Sequence, residues 1–147
     1  MRPLRVFLVD NHQDTVKYIR LYLEHLGHEV TTAGDMTTAL TQVSGSDYDM
    51  LISDIRLPDG DGWQLMERLR DARPGFAVAM SGYGGAEDLL KSRAAGYDHH
   101  LVKPFVPADL VELLQKAASI VEQRERGCAP DISAEKGSGD VGLVQND

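Results

Sequence analysis

Short apolar segments alternate with longer segments of helical periodicity along most of the chain. Near-continuous apolar runs rich in β-favouring residues occupy positions 4–9, 50–52 and 76–80, and a weaker run occupies 100–102. Runs of this length and composition are typical of strands buried on both faces of a sheet. A further strand is predicted at 28–32, after the first helical segment.

The segments between these strands carry apolar residues at intervals of three and four, as amphipathic helices do. Gly27, Gly96 and the Pro74-Gly75 pair follow three of these segments, where a helix breaker or a left-handed cap is expected. Asp35 is a candidate N-cap for the second helix. The helical pattern covers 16–26, 36–43, 65–69, 89–94 and 110–121.

Strands and helices alternate five times, which predicts an α/β fold with a mainly parallel sheet covered by helices on both faces. In such folds the functional groups lie at the carboxyl ends of the strands. Carboxylate oxygens there suit a hard cation such as Mg²⁺, and a lysine with a hydroxyl suits phosphoryl oxygens. The polar residues that directly follow predicted strands are Asp10, Asn11, Asp54, Ser81 and Lys103.

Composition narrows the class of protein. The chain has 147 residues, enough for one domain, and its 42% hydrophobic and 26% charged content is ordinary for a globular protein. A single cysteine, Cys128, excludes an internal disulfide and a cysteine-based metal cage. The net charge of -8, without a basic cluster, predicts no nucleic-acid partner. The absence of a long apolar run or a secretory signal predicts a cytoplasmic protein without a membrane partner.

The C-terminal segment differs in composition from the rest of the chain. From Gly127 onward it is rich in glycine and polar residues and carries more acids than bases. Such a composition favours flexibility over a packed core. We therefore expect a domain at 1–126 followed by a flexible, acidic and glycine-rich tail at 127–147.

Four segments contain the polar residues that follow the predicted strands: VFLVDNHQDT (6–15), LISDIRLPDGDGW (51–63), AMSGYG (79–84) and HLVKPF (100–105). Together they resemble the receiver domains of response regulators in two-component signalling. They occur in the right order, each at the end of its own predicted strand, and the resemblance spans residues 4 to about 124. It implies a (βα)₅ flavodoxin-like three-layer sandwich with parallel strand order 2-1-3-4-5. It also implies that the chain is a signalling phosphoacceptor and not a metabolic enzyme. Such a protein catalyses only its own phosphorylation and dephosphorylation.

The resemblance also implies roles for individual residues. Asp54 would take the phosphoryl group from a phosphohistidine. Mg²⁺ would be held by Asp10, Asn11, Asp54 and the backbone carbonyl of Arg56. Lys103 and Ser81 would contact the phosphoryl group, and the peptide between Lys103 and Pro104 would be cis, as X-Pro bonds can be.

A switch is implied as well. In the family a hydroxyl at the Ser81 position moves toward the phosphoryl group, and the residue three before the lysine, here His100, turns inward. This would alter the surface formed by the fourth helix, fifth strand and fifth helix, our candidate for the binding of a downstream partner. Arg56 and Tyr83 would modulate water access to the acyl phosphate, although Arg56 could equally be an exposed loop residue.

The implied partners are a histidine kinase or a histidine phosphotransfer protein upstream, and a homodimer is left open. The chain could stand alone or be excised from a hybrid kinase. The family usually has two adjacent acids after the first strand, whereas this chain has Asp10 and Asn11, so we expect weaker Mg²⁺ binding and slower phosphorylation.

Two alternatives are weighed against this interpretation. A pseudo-receiver acting as a phosphorylation-independent interaction module is supported by Asn11. A phosphatase of the haloacid dehalogenase type would need a second Asp two residues after the first, and position 12 is His. Asp14 is expected to serve the first helix and not the metal, and the segment 59–62 is expected to be a turn before the third helix.

Overall fold

The computed structural model describes residues 3–43, 48–69, 74–82 and 86–127, without the side chains of 125–127. Tyr83 and positions 128–147 of the predicted tail lie outside the described residues. The roles predicted for them stay predictions.

The five predicted strands form one parallel sheet. They are β1 (Arg5–Val9), β2 (Glu29–Ala33), β3 (Met50–Asp54), β4 (Phe76–Ser81) and β5 (His99–Val102). Their order across the sheet is β2-β1-β3-β4-β5, and every neighbouring pair is parallel. The fold class and strand order expected from the sequence are therefore confirmed.

Helices follow the strands in the expected alternation. They are α1 (Gln13–His25), α2 (Met36–Val43), α3 (Gly62–Leu69), α4 (Ala86–Ala95) and α5 (Pro107–Gly127). Among the described residues, none of the helices combines the length and apolar character needed to cross a membrane. Gly27 and Gly96 have φ of 97° and 109°, which confirms that α1 and α4 are followed by left-handed glycines.

The chain divides into two compact units, Met1–Leu113 and Leu114–Asp147, so the division falls inside α5. The first unit contains the whole sheet, helices α1 to α4 and the start of α5. The boundary predicted at 126 coincides with the end of α5 and remains a prediction.

Alternating side chains of the strands build the core on the two faces of the sheet. On one face, Phe7 and Val9 of β1 join buried residues of α2 and α3, such as Ala39 and Leu65, in a single cluster. Val6 and Leu8, which alternate with them, are fully buried and lie outside that cluster. Burying one such side chain contributes about 1.5–3 kcal/mol, so packing on both faces holds the strand ends in place.

The acidic segment after β3 is a short hairpin whose turn lies at 58–59, so the turn predicted over 59–62 is found only in part. Its aspartates bond to two helices. Arg56–Leu57 pairs with Gly60–Asp61 in a two-residue antiparallel ladder. Asp61 accepts a bond from the Gln64 backbone N–H at 2.7 Å, so it caps α3. Asp35 caps α2 in the same way, through the Thr38 N–H at 2.7 Å.

Asp59 reaches across to the start of α2. Its carboxylate accepts the backbone N–H groups of Met36 and Thr37 at 2.7 and 2.9 Å, and the Thr37 hydroxyl at 2.6 Å. These hydrogen bonds lower the pKa of Asp59 to about 2. The loop that follows the predicted phosphoacceptor is thus fastened to a neighbouring helix.

Helix α4 does not bury the face that its leucines indicate. Leu89 and Leu90 are 42% and 69% exposed, whereas Ser92 is buried. Ser92 lies inward because its hydroxyl is hydrogen-bonded to groups of α3 and β5. Polar contacts, and not an apolar stripe, therefore orient this helix.

Candidate functional site

Three of the residues singled out in the sequence lie together at the carboxyl edge of the sheet. Asp10 follows β1, Asp54 ends β3, and Lys103 follows β5. The Lys103 ammonium nitrogen lies 2.9 Å from Asp10 Oδ2 and 3.3 Å from Asp54 Oδ2. The lysine ammonium group thus bridges two carboxylates. Asp10 and Asp54, which carry them, are only 2% and 3% exposed.

The backbone of Lys103 is attached to the neighbouring strand β4. Its N–H donates to the backbone carbonyl of Ser81 at 2.7 Å, which extends the contact between β4 and β5. The peptide between Lys103 and Pro104 is cis. The lysine side chain is 19% exposed, so its amine is largely withdrawn from water.

The two carboxyl groups differ in their pKa values. Burial raises the pKa of Asp54, and repulsion from Asp10 adds to this, although Lys103 and the Arg56 N–H oppose it. For Asp10, burial also raises the pKa, but hydrogen bonds from Lys103 and His12 prevail and lower it. Asp10 is therefore the more strongly stabilised anion, and Asp54 carries its charge at a cost to the fold.

His12 is the residue of this site that sequence reasoning missed. Its ring Nδ1 lies 2.8 Å from Asp10 Oδ1 and 3.4 Å from Asp54 Oδ2. Its backbone N–H also donates to Asp10 Oδ1 at 2.8 Å. The available signal was its position, two residues after Asp10 at the start of a helix, which would have made it a candidate neighbour of the acids.

The donor set fits a divalent cation. One ligand atom each from Asp10, His12 and Asp54 can be chosen so that all lie within 4.8 Å of one another. Carboxylate oxygens are the ligands that Mg²⁺ prefers. A cleft of about 330 Å³ opens beside them, lined by His12, Thr15, Asp54, Arg56, Gly82 and Lys103.

Arg56 and Asn11 occupy different positions around this cleft. Arg56 is exposed, and its N–H donates to Asp54 Oδ1 at 3.2 Å, so its backbone is next to the phosphoacceptor candidate. Asn11 is exposed and lines a separate depression with Asp10, beside α1. Asp14 lies in the first turn of α1, where a negative charge favours the helix. Metal ligation by Asn11 and by the Arg56 carbonyl stays a prediction.

Ser81 and His100 are directly hydrogen-bonded. Ser81 Oγ lies 2.8 Å from His100 Nε2, and the other ring nitrogen, Nδ1, lies 3.0 Å from Ser92 Oγ. The indole N–H of Trp63 donates to the same Ser92 oxygen at 3.0 Å. A chain of hydrogen bonds therefore links the end of β4 through β5 and α4 to α3. We refer to Ser81, His100, Ser92 and Trp63 as the Ser81–Trp63 chain.

Burial lowers the pKa of His100, which favours a neutral ring. A neutral imidazole donates from one nitrogen and accepts at the other. If Trp63 donates to Ser92 and Ser92 donates to Nδ1, then Nε2–H donates to Ser81 Oγ. In that case Ser81 accepts from His100, and its own hydroxyl proton points away from the His100 ring.

Close backbone packing supports the end of β3. A Cβ on Gly62 would lie 2.8 Å from the backbone oxygen of Asp54 and 3.1 Å from Ile55 Cα. The Gly62 N–H donates to the Ile55 carbonyl at 2.7 Å, and its own carbonyl accepts from the buried Tyr97 hydroxyl at 2.7 Å. Glycine is thus required where α3 approaches the backbone of the candidate phosphoacceptor.

A flavodoxin-like sheet with two acids and a lysine at its carboxyl edge is the arrangement of a CheY-like fold. Residues 6–115 match the family described as the response regulator receiver domain. The chain therefore belongs to the response regulator receiver domain family of two-component systems. Receiver domains are signalling modules and not metabolic enzymes, and they bind Mg²⁺ at an acidic pocket.

Curated relatives are similar over most of this chain. The transcriptional activator protein IrlR of Burkholderia pseudomallei is 32% identical over 82% of the chain and 51% of its own length. The transcriptional regulatory protein CusR of Escherichia coli is 30% identical over 80% of the chain and 54% of its own length. The chain thus spans about half the length of these relatives. Because both are transcriptional regulators, the expectation of no nucleic-acid partner is not confirmed.

Solved structures agree with the fold. A CheY-like receiver domain protein of Methanospirillum hungatei JF-1 is 29% identical, with a TM-score of 0.76 over 85% of this chain and 99% of that one. The receiver domain of the sensor histidine kinase PA1611 of Pseudomonas aeruginosa is 27% identical, with a TM-score of 0.73 over 80% of this chain and 98% of that one. That structure has a magnesium ion coordinated in its active-site cleft.

Proposed function

We propose that this chain is a phosphoacceptor that takes a phosphoryl group from a phosphohistidine onto Asp54. The observation that carries the proposal is the placement of Asp54, a buried carboxylate of raised pKa beside both Lys103 and Asp10. A carboxylate held in this way is poorly stabilised as a free anion. A less stabilised carboxylate is the stronger nucleophile, and Lys103 beside it would offset negative charge on the acyl phosphate.

The proposed transfer is an in-line displacement at phosphorus. An Asp54 carboxylate oxygen attacks the phosphorus in line, an O–P bond forms, and the P–N bond to the donor histidine breaks. The departing imidazole takes up a proton from solvent. Lys103 neutralises charge on the phosphoryl oxygens, because positioning and electrostatics supply most of the catalysis in such a transfer.

Asp10 and Asp54, with the backbone carbonyl of Arg56, would hold Mg²⁺, and a magnesium ion in the cleft of a similar receiver domain supports this. The cation supplies charge neutralisation at the oxygens of the phosphoryl group. Asn11 contributes no charge, so binding of Mg²⁺ is weaker than at a site with two adjacent acids.

In our proposal the donor of the phosphoryl group is a histidine kinase or a histidine phosphotransfer protein. The transfer takes place in the cytoplasm.

The test is intact-mass spectrometry after incubation with acetyl phosphate and Mg²⁺. We expect one added phosphoryl group, which hydroxylamine removes because it cleaves acyl phosphates, and which a chelator prevents from forming. A folded protein that acquires no adduct even at high Mg²⁺ would contradict the proposal. It would favour the pseudo-receiver alternative, which rests on Asn11.

The Ser81–Trp63 chain is the element that would convert phosphorylation into a structural change. In our proposal Ser81 Oγ moves to a phosphoryl oxygen, which weakens its bond to His100 Nε2. His100 and Ser92 then rearrange, and the change reaches Trp63 on α3. Polar bonds are suited to this because they have discrete alternative partners.

This coupling predicts a fluorescence signal, because Trp63 is the sole tryptophan of the chain. Addition of beryllofluoride with Mg²⁺, which mimics the phosphoryl group, should change the Trp63 emission of the wild type. Ser92→Ala should lose most of that change while still forming the acyl phosphate with acetyl phosphate. Removal of the hydroxyl breaks the bonds to both His100 and Trp63.

Thr41→Ala is the matched control for this experiment. Its hydroxyl bonds only locally in what the structure describes, to the Thr37 carbonyl of its own helix at 3.0 Å. It should retain the full emission change. Equal responses in the wild type and in Ser92→Ala would show that the signal does not pass through Ser92.

The partner-binding surface would lie on α4, β5 and the start of α5. Leu90, Val102 and Val106 expose 69%, 43% and 58% of their surface there. Exposed apolar residues on these neighbouring elements favour protein contact. This surface would bind a downstream protein, or a second copy of the chain in a homodimer.

A further inference from the structure

The imidazole of His12 lies among the carboxylates of the cation site, although this position has no place in the Mg²⁺ ligand set described above. Its Nδ1 is 2.8 Å from Asp10 Oδ1 and 3.4 Å from Asp54 Oδ2. The ring is 60% exposed on the cleft side, so no tight packing fixes it there. Contacts with the acids therefore account for its orientation.

The local backbone brings the ring to this position. His12 is the N-cap residue of α1, with extended φ and ψ of -89° and 102°, and its side chain makes no capping hydrogen bond to the helix. Its own N–H donates to Asp10 Oδ1 at 2.8 Å, which fixes the turn between β1 and α1. Both the backbone and the ring of His12 are thus directed toward Asp10.

The spacing of the three donor atoms is that of ligands sharing one ion. At metal–ligand bonds of about 2.0–2.2 Å, neighbouring ligands at right angles are separated by roughly 3 Å. The distances from Nδ1 to the two carboxylate oxygens, 2.8 and 3.4 Å, lie on either side of that value. The two carboxylate oxygens and Nδ1 all lie within 4.8 Å of one another, so one ion could be shared by the three groups once the side chains adjust.

The chemistry of the added ligand changes which ions the site prefers. Imidazole nitrogen suits ions such as Ni²⁺, Zn²⁺ and Fe²⁺, whereas Mg²⁺ prefers oxygen. Asn11 is neutral where an acid is usual, and Lys103 neutralises part of the remaining negative charge. Both features weaken a site that depends on charge alone and increase the relative weight of a nitrogen ligand.

We propose that His12 is a third protein ligand at this site and gives it selectivity for divalent first-row transition cations over Mg²⁺. The proposal deepens the proposed function, since it concerns the same cleft. Its test measures cation binding directly, so it can fail or succeed whether or not Asp54 is phosphorylated.

The experiment is calorimetric titration of the full-length chain with Ni²⁺ and, separately, with Mg²⁺, in a Cys128→Ser background that removes the competing thiol. His12→Ala should weaken Ni²⁺ binding by at least about 10-fold and Mg²⁺ binding by less than about 3-fold, because only the nitrogen-preferring ion loses its favoured ligand. The exposure of the ring makes unfolding of the variant a minor concern, and circular dichroism checks it.

Two further variants separate ligation from other effects. His12→Gln can still donate a hydrogen bond to Asp10 but offers no imidazole, so it should bind Ni²⁺ as weakly as His12→Ala. His25→Ala removes an exposed histidine at the other end of α1 and should bind both ions as the background protein does. Wild-type Ni²⁺ affinity in His12→Gln, or equal losses for Ni²⁺ and Mg²⁺ in His12→Ala, would overturn the proposal.

Discussion

Replacing Asp54 with asparagine is expected to abolish the acyl phosphate and, at neutral pH, to stabilise the fold. The first effect follows because an amide cannot attack phosphorus as a carboxylate does. The second follows because burial raises the pKa of Asp54 and nearby Asp10 adds to the shift, so the ionised side chain opposes folding. A gain of roughly 1 kcal/mol would raise the melting temperature by about 4 °C in a domain of this size.

The pH dependence of this gain has a definite sign. Below the unfolded-state pKa of Asp54, near 3.8, the carboxyl is neutral in both states and the substitution should have little effect. As the pH rises from there through the raised folded-state pKa, the unfolded state ionises more readily and the wild type loses stability. The advantage of Asp54→Asn should therefore appear above pH 4 and be complete above the folded-state pKa.

Thermal unfolding between pH 3 and 8, with intact-mass spectrometry after acetyl phosphate, measures both effects. Ser53→Ala is the matched control, since Ser53 adjoins Asp54 in β3 and its hydroxyl bonds to the Asp54 backbone carbonyl at 3.0 Å. Ser53→Ala should still form the adduct, and its stability relative to the wild type should not increase as the pH rises. An adduct that persists in Asp54→Asn would place the phosphoryl group elsewhere.

Replacing Lys103 with alanine should cause the largest loss of stability and should also slow phosphorylation. The Lys103 ammonium nitrogen lies 2.9 Å from Asp10 Oδ2 and 3.3 Å from Asp54 Oδ2. When it is removed, the two buried carboxylates lose the positive charge that lies between them. Loss of one partner from a buried ion pair typically costs about 3–5 kcal/mol. Phosphorylation by acetyl phosphate should also slow by at least about 100-fold, because a preorganised positive charge at the phosphoryl oxygens is lost.

A double-mutant cycle tests the reason given for that loss. Combining Lys103→Ala with Asp54→Asn removes one of the two facing charges and should recover much of the lost stability, as measured by urea unfolding. Saturating Mg²⁺ should stabilise Lys103→Ala more than the wild type, since the cation then replaces the missing charge. If the effects of the two substitutions on the free energy of unfolding were simply additive, Lys103 would act on the fold through something other than Asp54.

The fold could be predicted because its signals are local. The apolar runs that became β1 and β4 have strand length and lie between segments of helical spacing, and Gly27 and Gly96 mark helix ends by their own conformational freedom. Parallel pairing then places Asp10, Asp54 and Lys103 at one edge without any further information. Four motifs in order at the ends of predicted strands were sufficient for the family assignment.

The helix predicted over 89–94 is confirmed as α4, but its leucines do not form its buried side. Leu89, Leu90 and Ala94 suggested a buried apolar face, yet the structure exposes both leucines and buries Ser92. The helix is oriented by the hydrogen bond between Ser92 and His100 and by the one that Trp63 donates to Ser92, over eight and 29 positions of the chain. Hydrophobic periodicity cannot register contacts of this kind.

The sequence by itself determined the order of the elements, the edge of the sheet at which the candidate site lies and the residue types gathered there. Only the tertiary structure decided that the His12 ring reaches Asp54, that Asp59 caps α2, and that His100 connects Ser81 to Ser92. The physical reason is range. Helix and strand formation depend on neighbours within a few positions, whereas these contacts depend on the relative placement of separately formed elements, which packing of the whole core sets.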